Sequence, residues 1–170
     1  MKPFSPGDAR RLEAAEGWLE LGDCVSAFNE LEEVAPERRA HPDVLKLRWR
    51  IYIKAEKFGN AFTVAEGLTR LLPDEVDAFV WRSYSTRRME GGGVQQAFDL
   101  LRDVAEDFRD EPIVPFNLAC YLCQLNQLAE AKSWLHLAFD AAERQGTAKH
   151  YKALALDDPD LLSLRQSAAL

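Results

Sequence analysis

Four alanines, Ala27, Ala61, Ala97 and Ala131, stand 34, 36 and 34 residues apart. Each opens a stretch whose apolar residues recur at helical spacing, and ahead of each lies a second such stretch. The clearest pair runs from Pro115 to Phe139, broken once at Asn126-Gln127, with Ala119, Ala131 and Ala138 set among Leu118, Leu122, Leu128, Leu135 and Leu137. Small residues among leucines are what two helices need if their backbones are to approach closely. One hairpin of this size cannot bury both of its faces, so a repeat at this period implies stacked helix-turn-helix units, each covered by its neighbours.

Taken in order, Met1 to Gly7 form a loose lead-in, and Asp8 caps a first helix that ends at Gly22-Asp23. A second carries Ala27, Phe28, Leu31 and Val34 up to Pro36. Pro42-Asp43 opens a third, and a fourth begins near Gly59-Asn60 and stops at Pro73. Asp74 and Glu75 open a fifth, which halts at Gly91-Gly92-Gly93, where the two extra residues of the longer interval are absorbed. The sixth is expected to carry Ala97, Phe98, Leu100, Leu101, Val104 and Phe108 before Pro112. After Gly146 the pattern changes. Residues 147–170 read as a helical cap in which Ala153, Leu154 and Leu156 cover the apolar end and Asp158-Pro159 starts a last helix with Leu161, Leu162 and Leu164. The alternative is that this tail occupies a binding surface, on its own chain or on a second copy.

The residue pattern resembles the tetratricopeptide repeat (TPR) family across roughly residues 8–142. The second unit supplies Leu45, Tyr52, Ala61, Leu68 and Pro73 at motif positions. The fourth supplies Leu118, Ala119, Leu122, Ala131, Leu135 and Ala138, the first Ala14, Ala15, Trp18, Ala27, Leu31 and Val34, and the third Ala97, Leu101 and Val104. Arg48 stands where the family has leucine and Trp49 where it has a small residue, which implies wider packing in that unit. The resemblance implies an all-α, right-handed α-solenoid of about four TPR-like repeats, at 8–41, 42–74, 75–110 and 111–146, with a C-terminal capping segment at 147–170. Helix A of the third repeat fits more than one register.

A net charge of −7 and a pI near 5.0, with no basic tail, argue against nucleic acid as partner. No stretch reads as a membrane span or secretory signal, so a cytoplasmic protein with no membrane partner is expected. Three cysteines, an odd number, are expected to be reduced thiols.

No grouping of residues points to catalysis. Cys120 and Cys123 share one helix face at i,i+3, but His136, His150 and Cys24 do not complete a metal set, so two small hydrophobes are the better reading and no metal or cofactor is expected. Gly91-Gly92-Gly93 lacks the Lys-Ser/Thr that a phosphate loop needs. The histidines His41, His136 and His150 have no triad partners. Trp18, Trp49, Trp81 and Trp134 are read as core.

The third helix carries Lys46, Arg50 and Lys54, with Lys57 one turn on, along a single face. By the family register the first three line the concave groove while Leu45, Trp49 and Tyr52 point to the core. Arg82, Arg87 and Arg88 could extend the patch. The matching positions of the last helix A are Phe116, Cys120 and Cys123, with Gln124 beside them, so the groove would pass from basic to apolar. Either the stripe is a solvated face, or it attracts an acidic and apolar peptide. The function expected is therefore a non-enzymatic protein-interaction module, a monomer or weak homodimer. Alternatives are a small bacterial secretion-type chaperone for an unfolded client, and a regulatory subunit of an enzyme or a cryptic cysteine-based metal site. The clamp for chaperone C-terminal carboxylates needs Lys and Asn where this chain has Leu12 and Glu16, and is disfavoured.

Overall fold

The computed structural model describes residues 3–167 and, among them, ten α-helices and no strand: α1 (Pro6–Glu20), α2 (Cys24–Glu32), α3 (Pro42–Lys54), α4 (Phe58–Leu71), α5 (Val76–Arg88), α6 (Val94–Arg102), α7 (Ile113–Gln124), α8 (Leu128–Arg144), α9 (Ala148–Asp157) and α10 (Leu162–Gln166). Two short 3₁₀ turns, Pro36–Arg38 and Pro159–Leu161, complete the order. The repeat is written in the backbone. Each turn between paired helices contains a residue in the left-handed region, Gly22 (φ +87°), Glu56 (+56°), Gly91 (+72°) and Asn126 (+60°). In three of these turns the next amide reaches back across the helix end, Asp23 N–H to Trp18 O, Lys57 N–H to Tyr52 O and Gln127 N–H to Leu122 O, at 2.8–2.9 Å. That bond and the left-handed residue together form a Schellman stop, which satisfies carbonyls the helix would otherwise orphan. The four marker alanines are all fully buried, as a close helix approach requires.

The chain divides into two compact units, Met1–Ala78 and Phe79–Leu170, the boundary falling within α5. In the first, α1 packs on α2 and α3 on α4. The core joins Ala15 and Leu19 of α1, Ala27 and Leu31 of α2, Val34, and Val44, Leu47 and Ile51 of α3. Each fully buried Leu or Ile contributes about 1.5–3 kcal/mol. The helix start differs from the sequence expectation: Ser5, not Asp8, is the N-cap. Its hydroxyl accepts the Asp8 N–H at 3.1 Å and donates to the Asp8 carboxylate at 2.7 Å. Asp8 instead reaches across to the Ala35 N–H at 3.0 Å, tying α1 to the end of α2. That backbone hydrogen bond, followed by the one from Ser5, holds its carboxyl below the usual carboxylate range.

The second helix pair deviates where the motif does. Arg48, at a leucine position, is largely covered, donates to Glu32 at 2.6 Å and lies 5.3 Å over the Phe28 ring. The expected core residues Leu45, Trp49 and Tyr52 are only half-buried, and Val44, Leu47 and Ile51 take the core instead. The buried set is thus offset by one residue from the family register along α3.

In the second unit α7 packs on α6 and α8. It is buried nearly all round: Val114, Phe116, Leu118, Ala119, Cys120, Tyr121, Leu122 and Cys123 have almost no exposed surface. The register of helix A in the third repeat is settled by small polar residues. Ser83, Ser85 and Thr86 are buried. Their hydroxyls donate to the carbonyls of Val80, Trp81 and Arg82, so they pack as alanines would. Ser83 also shares a 3.1 Å hydrogen bond with the Tyr121 hydroxyl. The sixth helix is shorter than expected, ending at Arg102 in a run of turns through Asp110. Asp103, Glu106 and Asp107 would stand at the negative end of any continued helix, an unfavourable place for carboxylates. The C-terminal segment buries Leu161 and Leu164 of those expected, together with Ala155, whereas Ala153, Leu154, Leu156 and Leu162 face outward.

Candidate functional site

The helix A faces of the two units can be compared residue by residue, because Ala61 and Ala131 set an offset of 70. Lys46 matches Phe116, Arg50 matches Cys120, Ile53 matches Cys123 and Lys54 matches Gln124. The chemistry of the two faces differs, and so does their exposure.

In the first unit the face is open. A shallow cleft of about 460 Å³ is lined by Leu19, Glu20, Trp49, Arg50, Ile53 and Lys54. Leu19, Ile53 and the Trp49 ring make an apolar floor, and Arg50 and Lys54 a cationic rim. Two of the three stripe residues are engaged: the Lys46 ammonium meets Glu75 and the Arg50 guanidinium meets Glu16, each at 2.5 Å. The stripe is therefore a row of exposed ion pairs rather than a bare positive field. Exposed pairs of this kind are worth about 0–1 kcal/mol, so an incoming carboxylate can exchange with Glu16 at little cost. Lys57 does not extend the stripe, since it lies past the end of α3 as the residue before α4. Trp49 belongs to the cleft rather than the core.

The second unit's face is covered. Phe116 packs edge-on against Tyr151 of α9, with ring centroids 5.7 Å apart. Cys120 lies with its sulfur 3.8 Å from an Asp158 carboxylate oxygen. Cys123 is buried as well. Gln124, at the end of α7, stays exposed. Arg87 of α5 makes a two-pronged bond to the Asp160 carboxylate, one arm at 2.9 Å, with both side chains mostly shielded from solvent. Burial pushes both the Cys120 and Cys123 thiols up, away from thiolate character. Arg82 and Arg88 lie over the rings of Phe79 and Tyr84, at 5.7 and 3.8 Å.

Among the described residues no group of three or more His, Cys, Asp or Glu could hold a metal ion. Another cleft of the second unit, about 650 Å³, has Arg102, Arg109, Asp110, Trp134, Leu137 and Arg144 in its wall. Its arginines pair with Asp99, Glu106 and Asp110, which leaves no net charge to select a ligand. None of the four tryptophans belongs to the buried core. Trp18 is 40% exposed, and Trp49 and Trp134 line clefts, in keeping with a side chain too large to bury fully at a helix surface.

Sequence reasoning missed Leu19, Glu20 and Ile53 as cleft residues and Asp158 and Asp160 as partners of the second face. A signal for the last two was present: Asp157-Asp158-Pro159-Asp160-Leu161-Leu162 has the acidic and apolar composition expected of a groove ligand.

No family model and no curated protein matches the sequence. Solved structures do match the fold. A MamA double mutant described as RS-1 ArsTM aligns with a TM-score of 0.65 at 14% identity, covering 98% of this chain and 98% of that one. MamA from residue 41 to its end, from Desulfovibrio magneticus RS-1, aligns with the same score and identity over 97% of this chain and 98% of its own. At this identity the likeness speaks to architecture alone, and it establishes that the chain has the all-α, TPR-like solenoid fold of MamA along its whole length.

Proposed function

We propose that the chain is a non-enzymatic protein-interaction module of the tetratricopeptide family, and that its first unit holds an extended apolar segment carrying acidic side chains on the α1–α3 face. The observation that carries this reading is the cleft in which Trp49 and Ile53 form a floor beneath Arg50 and Lys54. Tryptophan and arginine are the side chains most often responsible for interface energy, the first through area and the second through paired hydrogen bonds to carboxylates. Glu16 already shows the geometry a partner's carboxylate would adopt on Arg50.

Selection of a random displayed peptide library on the purified chain tests the proposal. The expected result is enrichment of peptides with Asp or Glu next to large apolar residues, lost or shifted toward Lys and Arg in the Arg50→Glu/Lys54→Glu variant. Enrichment of the same peptides on that variant, or no enrichment on either protein, would overturn it.

A further inference from the structure

The second unit bears the equivalent face, and it has an occupant. Three observations converge on α9 and the segment that follows it. First, α7 is apolar nearly all round, Asn117 and Gln124 excepted, unlike α3, whose face carries Lys46, Arg50 and Lys54; a helix so apolar must be covered on nearly every side. Second, the cover at Phe116 and Cys120, positions that match Lys46 and Arg50, is supplied by Tyr151 and Asp158. Third, the segment engages the site as a ligand would: Asp160 takes a two-pronged bond from Arg87, and Leu161 and Leu164 are fully buried. Its conformation is prepared for this. Asp158 caps the Pro159–Leu161 turn through the Asp160 N–H, and Arg165 folds back to the carbonyls of Ala155 and Asp158 at 2.7 and 2.8 Å.

We infer that the helix A face of the second unit is a receptor for segments with an aspartate followed by leucines, and that residues 158–166 fill it as an intramolecular ligand which a partner segment of the same chemistry displaces. The inference rests on the reading of helix A faces as peptide sites. A tethered segment acts at an effective concentration of about millimolar, so the site is masked toward a free competitor until the tether contact is weakened. The charge-assisted fork between Arg87 and Asp160 is the contact to weaken, because it is directional and mostly shielded from solvent.

The test uses the full-length chain and a fluorescent peptide of residues 156–167, followed by anisotropy. Asp160→Arg places two guanidinium groups together and opens the face in cis. This variant is expected to bind the peptide at least about tenfold more tightly than the unaltered chain. Adding Arg87→Ala, or replacing both Leu161 and Leu164 by Ala in the peptide, should remove that gain. Equal binding to the unaltered chain and to Asp160→Arg, or none to either while circular dichroism shows both folded, would overturn the inference. Hydrogen exchange on the unaltered chain decides the matter if Asp160→Arg does not fold. Amides of residues 160–166 exchanging faster than those of α7 support a detachable ligand. Exchange of both segments together, only on global unfolding, makes the segment core and overturns it. Arg87 and Asp160 play no part in the first unit's cleft, so failure here leaves the outcome at Arg50 and Lys54 to be read separately.

Discussion

Replacing Ala131 by leucine asks whether the periodic alanines set the distance between paired helices. Ala131 is fully buried at the start of α8, which packs on α7, where Ala119 and Leu122 are also fully buried. Two outcomes of opposite sign are conceivable. If space existed beside the methyl group, three added carbons would gain about 0.8 kcal/mol each, a stabilisation of roughly 2 kcal/mol. If α7 and α8 are in contact through their small residues, the new side chain has nowhere to go and the helices must separate, which costs about 1–3 kcal/mol. Complete burial of the alanine and its small neighbours favours the second. For a chain of this size each kcal/mol corresponds to about 2–4 °C in Tm. Thermal and urea unfolding followed by circular dichroism should therefore show Ala131→Leu less stable than the parent chain. Ala129→Leu, an exposed position two residues earlier on the same helix, should stay within about 0.5 kcal/mol. The same penalty should recur at Ala27, Ala61 and Ala97. Ala131→Leu as stable as the parent, or more so, would refute the argument that close approach is what the repeat encodes.

Arg48→Leu restores the family's usual residue and leaves Glu32 its second partner, Arg39; unfolding should show a change within about 1 kcal/mol, whereas Arg48→Ala, which leaves a void, should be less stable by about 1–2 kcal/mol. Of the three thiols, half-buried Cys24 should react first with a disulfide reagent at neutral pH while Cys120 and Cys123 stay protected, and Asp160→Arg should speed their labelling. Asp8 and Asp23 are held below the usual carboxylate range, Asp8 chiefly by the Ala35 amide and Asp23 chiefly by the Ser26 hydroxyl. Unfolded, they would titrate near about 3.9, so the stability they lend is complete above that pH and is lost as pH falls below it through their folded values; Tm in acid should fall less steeply for Asp8→Asn/Asp23→Asn than for the parent.

What could be read in advance depended on how far a contact lies from its own helix pair. The period of the alanines, the turn positions and the core leucines of α7 and α8 follow from local spacing, and the left-handed residues Gly22, Glu56, Gly91 and Asn126 recur in the backbone at a period within one residue of it. The N-cap was misplaced by three residues because Ser5 and Asp8 both suit a helix start, and only the pull of Ala35 on Asp8 separates them. The third repeat's register was ambiguous because the triple glycine absorbs two extra residues, and the burial of three small polar residues resolves it. Ser83, Ser85 and Thr86 look solvent-facing as a sequence, and become core residues only when their hydroxyls turn back onto the helix. The sixth helix was overextended because Val104 and Phe108 keep the apolar rhythm after the acidic residues have ended the helix.

The candidate site was half legible for a further reason. Spacing placed Lys46, Arg50 and Lys54 on one face, and the structure keeps them there, but a stripe of like charge on one helix says nothing of the acids that Glu16 and Glu75 bring from other segments. The contrast between the two helix A faces, cationic in α3 and apolar in α7, was visible as a groove passing from basic to apolar. Its physical meaning differs. A helix A face that stays open to water must carry charge or pay for exposed apolar area, whereas one that carries Phe116, Cys120 and Cys123 can persist only beneath a cover. Residues 158–164 supply that cover, with a carboxylate for Arg87 and two leucines for the apolar floor. The composition of each face therefore matches its exposure: the face of α3 stays open with Lys46 and Arg50 paired to Glu75 and Glu16 of the same chain, and that of α7 lies beneath a cover.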